Sequence, residues 1–435
     1  MYKMPTFRKG GIHPDGMKQL SQHQSVETLP FPTELIVPFS QHLGSPATPL
    51  KEKGETITMG EKIGVASSFI SADIHAPLSG VITEIREVTL MNSITCNAYV
   101  VKVDEEQPNG EFTTHYPYKE LSSNTLLTMV KDLGIVGTGG ATFPTHVKLS
   151  VPKGKHVETL VINGVECEPY LTSDHRLMLE KGDEVLEGIL IAAQIVQPKK
   201  IIIGIENNKK DAIKQLKKKI AEKGYPIHVV ALKVKYPQGD EKQLLKATIH
   251  REIPSGKLPL DVGAVVLNVG TSFAIYEAIV LHKPLIDRIV TVTGKAIHEK
   301  KNVRVPIGTK IECLISYCGG VSETREKMVA GGPMMGFAFY NDQIPVIKGT
   351  SGILLLPKRK RATQTACISC GKCIAVCPMG LQPTRLYRLI EHGEYEMAMK
   401  LNLMDCKECG CCSFSCPAQL PLVHGMKLGK KLGRK

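Results

Sequence analysis

The order of apolar and polar positions divides the chain into three stretches before a cysteine-rich end. Residues 1–105 are short alternating segments broken by Gly and Pro, a pattern typical of β-strands joined by turns. From about 120 to 260, apolar runs of strand length such as Thr159–Asn163 alternate with apolar residues at helical spacing. Residues 261–322 are again rich in strand patterns, with Asp287–Thr293 the clearest. The middle of the chain is therefore predicted to be an α/β layer with a mainly parallel sheet.

Two parts of the first stretch share a turn-then-strand pattern, at 51–64 and at 76–82. The pair resembles the two halves of the barrel-sandwich hybrid found in biotinyl and lipoyl domains. Those carriers need a lysine at a hairpin tip between the halves. The connecting segment 65–80 contains no lysine, so we interpret the first domain as a scaffold.

Composition limits the class of protein. The 435 residues contain 55 Lys and Arg against 42 Asp and Glu, a formal charge of +13. Because no apolar run approaches the roughly 18 residues of a membrane span and the N-terminus lacks a signal-peptide core, an intracellular protein of several globular domains is expected. Aromatic residues make up only 5% of the chain and Trp is absent. Base-stacking surfaces are therefore scarce, and nucleic acid is not an expected partner.

Nine of the thirteen cysteines lie near the C-terminus, and all but one of these nine form two matched runs. Each run reads C-x-x-C-x-x-C-x-x-x-C-P, and the second follows the first by 39 residues. Bacterial ferredoxins with two [4Fe–4S] clusters use this spacing, and the fourth Cys of each run ligates the cluster of the other run. The spacing therefore predicts one cluster on Cys367, Cys370, Cys373 and Cys416 and a second on Cys377, Cys406, Cys409 and Cys412.

Structural zinc is the alternative interpretation of these cysteines. Zinc sites usually pair two C-x-x-C knuckles across a longer gap, whereas here three cysteines are evenly stepped and the fourth precedes Pro. The pattern favours iron–sulfur clusters. Cys411 lies outside the spacing, as a bystander or as a replacement for a neighbouring ligand. Helical periodicity in the spacer 381–404 predicts a helical ferredoxin domain.

A glycine-rich loop that begins Gly137-Thr-Gly139-Gly140 is the best candidate for a flavin phosphate. Closely spaced glycines let backbone N–H groups approach a phosphate, and Lys148 could supply a charge. Taken alone, the pattern is also typical of a plain turn, since Thr142 stands where a dinucleotide fingerprint has its third glycine. A flavin would couple the one-electron clusters to a two-electron donor. The chain contains no G-x-x-x-x-G-K-[ST] motif, so nothing indicates an NTPase.

The loop resembles the flavin-binding signature of the NADH-oxidising subunit of respiratory complex I, G-x-G-G-A-x-F-P-x-x-x-K. Three later blocks resemble the same family in the same order: Asn163-Gly-Val-Glu166-Cys-Glu168-Pro169, Tyr236-Pro-Gln-Gly239-Asp240-Glu241 and Asn268-Val-Gly-Thr271. Over essentially its whole length, including Gly332-Pro-Met-Met-Gly336, the chain resembles the RnfC family. Members of this family are the peripheral subunit of the bacterial Rnf ion-translocating electron-transport complex.

The resemblance implies a multidomain fold of α/β plus β type. The expected domains are a barrel-sandwich hybrid at 1–110, a complex I flavin-subunit-like α/β domain at 120–260, a small β-grasp-like SLBB domain at 261–325, and a helical two-cluster ferredoxin domain at 357–425. A basic linker at 357–361 would begin the last domain.

The resemblance also implies a cofactor site. FMN would lie on Gly137, Gly139, Gly140, Lys148, Asn163 and Asn268. NADH would approach Phe143, Glu166, Glu168, Tyr236, Asp240 and Glu241, with Glu166 and Glu168 as the candidate catalytic pair. Gly239 is also a candidate cofactor-binding residue.

This chain departs from the complex I pattern at three positions. Thr138 stands where complex I has Arg, Asp240 shortens one of the paired acids, and Val151 replaces a second aromatic residue. These departures bear on NADH affinity more than on FMN binding. From the residues alone, Glu166 and Glu168 could equally be surface acids.

The function implied is that of an NADH:ferredoxin oxidoreductase module. Hydride would pass from NADH to FMN, and single electrons would pass through two [4Fe–4S] clusters to partners. The expected partners are the membrane-embedded and ferredoxin-like Rnf subunits and ferredoxin, with the protein peripheral on the cytoplasmic side of the cell membrane. Two alternatives share these features: a soluble corrin reductase with flavin and iron–sulfur clusters, and a non-catalytic electron-wiring adaptor.

Overall fold

The computed structural model describes residues 4–108, 112–322, 325–358 and 363–433, without the side chains of residues 325 and 326. Most of the basic linker predicted at 357–361 lies outside these residues. The described chain contains four β-sheets followed by a helical C-terminal unit.

The N-terminal β unit consists of two small sheets that share one apolar core. Ile57, Ile63, Ile82 and Tyr99, from four different strands, meet in this core. The sheet orders are β2-β8-β7-β4 and β3-β5-β6, whereas β1 pairs with a later sheet. The strands are β1 (Val26–Thr28), β2 (Glu34–Pro38), β3 (Thr48–Pro49), β4 (Thr56–Ile57), β5 (Lys62–Val65), β6 (Ile74–His75), β7 (Gly80–Thr89) and β8 (Thr95–Val103).

The central unit is a parallel four-stranded sheet with helices on its faces. Its apolar strands are β9 (Thr159–Asn163), β10 (Lys200–Glu206), β11 (Ile227–Leu232) and β12 (Ala264–Asn268), in the order β11-β10-β9-β12. Its helices are α1 (Ser123–Asp132), α2 (Thr145–Leu149), α3 (Ser173–Glu180), α4 (Gly182–Val196), α5 (Lys210–Lys223), α6 (Glu241–Thr248) and α7 (Val269–Val280). The predicted parallel α/β layer is confirmed.

Helices α4 and α7 pack closely and fix the start of α7. A Cβ added to Gly188 of α4 would lie 1.8 Å from the Ser272 carbonyl oxygen of α7, so only glycine permits this approach. Every residue of α7 is buried. The helix that begins at the carboxyl edge of the sheet is therefore held rigidly in the largest apolar core.

The third unit is a six-stranded mixed sheet in the order β1-β14-β13-β17-β15-β16. It contains β13 (Asp287–Thr293), β14 (Lys301–Pro306), α8 (Ile311–Tyr317), β15 (Arg325–Ala330), β16 (Phe337–Phe339) and β17 (Gly352–Pro357). The predicted boundary at residue 260 falls inside the parallel sheet, because β12 pairs with β9 and α7 packs on α4. The sheet also continues past residue 325 to β17 and recruits β1, a long-range pairing that local patterns do not reveal.

The C-terminal unit is helical, as the spacer periodicity predicts. Its helices are α9 (Lys372–Ala375), α10 (Pro383–Glu391), α11 (Tyr395–Lys400), α12 (Cys411–Phe414) and α13 (Leu422–Leu432). Leu386, Ile390 and Met426 form the centre of its core. None of the helices in the described chain has the length and apolarity needed to cross a membrane.

Candidate functional site

Two asparagines mark the carboxyl edge of the parallel sheet. Asn163 ends β9, Asn268 ends β12, and the two are paired in register. Asn268 Oδ1 accepts a hydrogen bond from the Gly270 amide at 2.7 Å and so caps α7, while its Nδ2 donates to Asp174 Oδ2 at 2.7 Å. Asn163 Nδ2 donates to the Gly239 carbonyl at 2.8 Å. Ligands of open α/β sheets bind outside this edge, so both predicted residues lie where a cofactor is expected.

The glycine-rich loop lies over the same edge, beside the first turn of α7. Its ends are closed by a hydrogen bond from the Gly137 amide to the Phe143 carbonyl at 2.9 Å. A Cβ added to Gly139 would lie 2.9 Å from the Asn268 side chain, so a larger residue would displace that side chain. Gly140 is exposed, with φ of +151° and open space where a side chain would be. The arrangement places bare backbone next to a helix N-terminus, which suits a phosphate.

Thr138 anchors the inner side of this loop. Its amide donates to Thr271 Oγ1 at 3.0 Å, and its hydroxyl donates to Asn268 Oδ1 at 3.1 Å. Its carbonyl accepts a hydrogen bond from Arg288 Nη2 at 3.1 Å. Arg288 belongs to β13 and was not among the predicted site residues. The structure therefore places a guanidinium from the third sheet against the loop in which Thr138 replaces the arginine of complex I.

The Arg288 guanidinium is in an unusual environment. Burial lowers its pKa to about 10, and the nearby carboxylates of Asp174 and Asp287 oppose this shift. Its Nε is buried without a hydrogen-bond partner. The group remains charged at neutral pH and adds positive charge beside the glycine-rich loop.

Lys148, predicted beside the flavin phosphate, forms an ion pair with another predicted residue. Its Nζ donates to Glu241 Oε1 at 2.8 Å and to the Val266 carbonyl at 2.8 Å. Both side chains are 33% exposed. The structure thus joins Lys148 and Glu241, and each partly compensates the charge of the other.

Glu166 is turned into the protein. Its side chain is only 4% exposed, so the interpretation of this residue as a surface acid is wrong. Oε1 accepts a hydrogen bond from the Asp174 amide at 2.7 Å, whereas Oε2 is buried without a hydrogen-bond partner. Burial raises the pKa of Glu166 to about 7, and the ammonium groups of Lys18 and Lys209 oppose the shift.

Two buried lysines hold the loop that carries Glu166. Lys18 Nζ donates to the carbonyls of Glu166, Glu168 and Leu171 at 2.8, 3.0 and 2.6 Å. Lys209 Nζ donates to the Val165 carbonyl at 2.7 Å. Both ammonium groups also approach Glu166 Oε2, at 3.7 and 4.0 Å. No sequence motif identifies either lysine.

Glu168 connects the loop at residues 164–172, between β9 and α3, to the segment 332–336. Because this loop lies beside the predicted flavin site, it is called the flavin-side loop. Its carboxylate accepts hydrogen bonds from the amides of Met334 and Met335, at 3.1 and 3.0 Å, and from the Tyr236 hydroxyl at 3.0 Å. A Cβ added to Gly332 would lie 2.1 Å from Glu168 Oε2, so this position requires glycine. The structure thus explains a glycine-rich segment whose role the sequence did not reveal. Burial raises the pKa of Glu168, and these hydrogen bonds oppose the shift.

The other residues predicted near NADH are also engaged in contacts within the protein. Asp240 caps α6 by accepting from the Gln243 amide at 3.2 Å. Gly239 donates its amide to Cys167 Sγ at 3.3 Å. Burial raises the pKa of the Cys167 thiol, which fits a small buried residue rather than a reactive one. Tyr236 is 2% exposed. Phe143 is partly buried at the base of the glycine-rich loop.

The cysteines surround two hollows in the C-terminal unit. The first hollow, of about 350 Å³, is lined by Cys367, Cys370, Cys373 and Cys416. The second and more enclosed hollow is lined by Cys377, Cys406, Cys409 and Cys412, together with Cys411. Each hollow therefore draws three thiols from one run and the fourth from the other, the grouping that the predicted ligand sets require. Within the described ranges, no three Cys, His, Asp or Glu side chains converge closely enough to hold a single metal ion.

The wall of the second hollow contacts the central unit and the segment 332–336. Tyr236 packs against Cys409 and Cys411. A Cβ added to Gly410 would lie 3.0 Å from the Met334 carbonyl oxygen. Because Tyr236 and Met334 both bind Glu168, one small group of residues spans the space between the flavin-side loop and these cysteines.

Four protein-family models match the chain in the order of its units. They describe the RnfC barrel sandwich hybrid domain at residues 6–106, the Nuo51 FMN-binding domain at 130–277, the SLBB domain at 289–338 and a 4Fe-4S dicluster domain at 366–420. The flavin-domain match includes β12 and most of α7, in agreement with the sheet topology.

Curated relatives match over almost the whole chain. A component of the proton-translocating ferredoxin:NAD(+) oxidoreductase complex of Clostridium ljungdahlii is 44% identical, covering 92% of this chain and 88% of its own. The chain belongs to the RnfC family. The RnfC-family component of the Na(+)-translocating complex of Acetobacterium woodii is 41% identical over 99% of this chain and 97% of its own. Its counterpart in the ion-translocating oxidoreductase complex of Rhodobacter capsulatus is 38% identical over 97% of this chain and 82% of its own.

Family membership confirms several predictions. The RnfC resemblance, the four-part fold class, the FMN-binding domain and the iron–sulfur character of the cysteine runs are all borne out. The individual ligands and the NADH contacts stay predictions. Protein donors engage one oxygen of Glu166 and both oxygens of Glu168, and the contact of these carboxylates with substrate also stays a prediction.

Proposed function

We propose that this chain is the NADH-oxidising flavin and iron–sulfur subunit of an ion-translocating ferredoxin:NAD(+) oxidoreductase complex. Relatives at 44% and 41% identity carry that complex in their names. The observation that carries the proposal is the connection through Glu168. This residue of the flavin-side loop is bonded to Tyr236 and Met334, which pack against the second cysteine hollow.

The carboxyl edge of the parallel sheet is the proposed flavin site. FMN, when bound there, would accept a hydride from NADH and release its electrons one at a time. The backbone of the loop at Gly137, Gly139 and Gly140, with the first turn of α7, would hold the phosphate. Arg288 and Lys18 add positive charge beneath this edge, which favours an anionic ligand.

The proposed NADH site lies on the solvent side of the same edge. Phe143 offers an aromatic face for adenine. The carboxylates of Glu166 and Glu168 are engaged by protein donors, which supports a positioning role for both acids. In this role they would fix the loop that borders the proposed nicotinamide site.

The two hollows are the proposed [4Fe–4S] sites. Cys367, Cys370, Cys373 and Cys416 would ligate one cluster, and Cys377, Cys406, Cys409 and Cys412 the other. Each cluster would carry one electron at a time between the flavin and a partner. Ferredoxin and the membrane-embedded subunits of the complex are the proposed partners, on the cytoplasmic side of the membrane.

The test is anaerobic purification followed by analysis of flavin, iron and acid-labile sulfide. We expect one FMN and about eight irons per chain, and NADH should bleach the visible absorbance of both cofactor types. Clusters without flavin or NADH-dependent bleaching would instead establish the electron-wiring adaptor, and zinc in place of iron would contradict both.

A variant of the loop links this chemistry to the proposed site. Gly139→Ala should lose most of its FMN, because the added methyl group displaces Asn268. Gly182→Ala is the matched control, since its added methyl group would lie 3.4 Å from the side chains of Leu216 and Lys219. Equal flavin content in the two variants would exclude the loop as the FMN site.

A further inference from the structure

The first cysteine hollow has a solvent-exposed rim. Every residue that lines it belongs to the C-terminal unit, between Cys367 and Ala418. Cys370 is exposed, and the neighbouring Ile368 is 67% exposed. Ile374 adds a second exposed apolar side chain to the rim. The hollow thus combines a solvent-accessible thiol with apolar surface, which is typical of a contact region rather than of a solvated face.

The rim of this hollow is basic. Arg385 and Arg388 line it from one side of α10, three residues apart, and both are exposed. His392 follows on the same rim. Among the residues that the structure describes, no Asp or Glu lines the first hollow, although Glu391 lines a neighbouring depression. The surface therefore complements a negatively charged partner.

The second hollow is also lined by the C-terminal unit, but this side of the unit contacts the flavin domain and the N-terminal residues. Gln243 Nε2 donates to Sδ of Met379, which lines the hollow, at 3.3 Å, and the Gly11 amide donates to the Val376 carbonyl at 2.8 Å. Cys409 and Cys411 are buried against Tyr236. The second set of thiols thus lies against the flavin domain at Cys409, and the first set reaches the protein surface at Cys370.

We infer that the surface around the first hollow, formed by Ile368, Cys370, Ile374, Arg385 and Arg388, docks an acidic one-electron carrier protein. The inference rests on the proposed function and adds to it the exit point of the electrons and the chemistry of the partner. Ile368 and Ile374 supply the apolar centre of the contact, and the two arginines steer and orient the partner. One electron crosses in each encounter: the partner centre gains it, this protein loses it, and no atom is transferred.

An acidic protein fits this surface better than an anionic membrane. A membrane contact would place a lipid layer over Cys370, whereas a protein carrier brings its own redox centre to the exposed thiol. The distinction is testable, because the same arginines would serve lipid headgroups and carboxylates alike.

The experiment compares charge reversals in the full-length holoprotein. The probe is a small acidic ferredoxin with two [4Fe–4S] clusters, and the measurement is its association rate constant as a function of ionic strength. We expect Arg385→Glu with Arg388→Glu to lower the rate by roughly ten- to a hundredfold at low salt. The charge-conserving pair Arg385→Lys with Arg388→Lys should restore most of it.

The matched control places the same charge change elsewhere. Lys214→Glu with Lys217→Glu alters two exposed lysines of α5, so it reproduces the change in net charge without touching the rim. This control should change the rate less than about threefold. Iron and flavin contents are measured for every variant, and only variants with wild-type contents enter the comparison.

Three results would overturn the inference. These are an equal loss of rate in the rim and control variants, a wild-type rate that does not fall with added salt, or a loss of binding to phosphatidylglycerol vesicles with ferredoxin association intact. If the charge-reversed protein loses its clusters, the association rate constant of the wild type at increasing ionic strength tests the inference instead. Absence of NADH bleaching with ferredoxin association intact would instead reject the proposed function and leave the docking surface standing.

Discussion

Lys18 illustrates how a single buried cation can organise a site that is distant in sequence. Its ammonium group satisfies three backbone carbonyls of the flavin-side loop, at Glu166, Glu168 and Leu171, and lies 3.7 Å from Glu166 Oε2. Glu166 itself has φ of +46°, a conformation that residues other than glycine rarely adopt. The three hydrogen bonds therefore hold a loop that the backbone alone would not favour.

Replacement of Lys18 by Met should release this loop. The change leaves three carbonyls without their donor and removes one of the two ammonium groups near Glu166, so we expect a loss of about 3–5 kcal/mol in the free energy of unfolding. Thermal unfolding and FMN content measure the effect. Lys53→Met, at an exposed position, is the control. A Lys18→Met protein with wild-type thermal stability would show that the loop is held by other contacts.

Glu166 should also give the protein a characteristic pH dependence. Burial raises its pKa to about 7 in the folded state, from an ordinary value of 4.5. Between these values the folded state binds more protons than the unfolded state, so the stability contribution of Glu166 is complete below about pH 4.5 and is lost as the pH rises to about 7. The change amounts to at most about 1.4 kcal/mol per pH unit.

Glu166→Gln cannot titrate and should remove this part of the pH dependence. The midpoint of thermal unfolding of the variant, relative to wild type, should rise between pH 5 and pH 8, whatever the offset at pH 5. Glu120→Gln, which changes an exposed carboxylate, is the control. A difference between Glu166→Gln and wild type that stays constant across this range would mean that Glu166 is ionised throughout.

At the scale of elements, the segment 332–336 acts as a clamp between the third sheet and the flavin-side loop. It connects β15 to β16, and its amides at Met334 and Met335 hold the Glu168 carboxylate. Its position also brings the Met334 carbonyl against Gly410 of the second cysteine run. Three units of the molecule therefore meet at this segment.

Gly332→Ala should disturb this junction through steric overlap alone. The new methyl group would lie 2.1 Å from Glu168 Oε2, so the carboxylate must move and lose hydrogen bonds. We expect a cost of about 1–3 kcal/mol and a slower bleaching of the clusters by NADH, followed by stopped-flow absorbance. Gly16→Ala is the comparison, because its methyl group would have only an ordinary contact with Lys18 Cγ at 3.7 Å. Equal bleaching rates in the two variants would show that the segment 332–336 does not contribute to electron transfer from the flavin to the clusters.

Elements with local signatures could be predicted from the sequence, and elements that depend on distant contacts could not. The cysteine spacing, the strand pattern of Thr159–Asn163 and the glycine-rich loop are local, and both the strand and the helical cysteine unit form as predicted. Lys18 and Arg288 escaped prediction because their partners are about 150 residues away in the chain. Lys148 is predicted beside the phosphate, but its ammonium group bonds Glu241 at the start of α6 and the Val266 carbonyl of β12, which are about 90 and 120 residues away in the chain.

At the scale of the whole molecule, the units form a sequence of sites from the carboxyl edge of the sheet to the outer rim of the C-terminal unit. The wall of the second hollow packs against Tyr236 and Met334, whereas the rim of the first carries the exposed Cys370. Because electron transfer slows steeply with distance, this arrangement orders the two clusters. The cluster of the second hollow should exchange electrons with the flavin, and that of the first with the partner.

Single-ligand variants test this order. Cys370→Ala removes a thiol of the first hollow, and NADH should still reduce the remaining cluster, seen as its electron paramagnetic resonance signal. Cys406→Ala removes a thiol of the second hollow, and NADH should then reduce the first cluster much more slowly, because the nearer carrier is missing. Cys313→Ala, in α8 and outside both hollows, controls for the loss of a cysteine. Rapid reduction of the first cluster in Cys406→Ala would place the flavin closer to the outer hollow and reverse the proposed path, whereas loss of reduction in both variants would mean that the two clusters act only together.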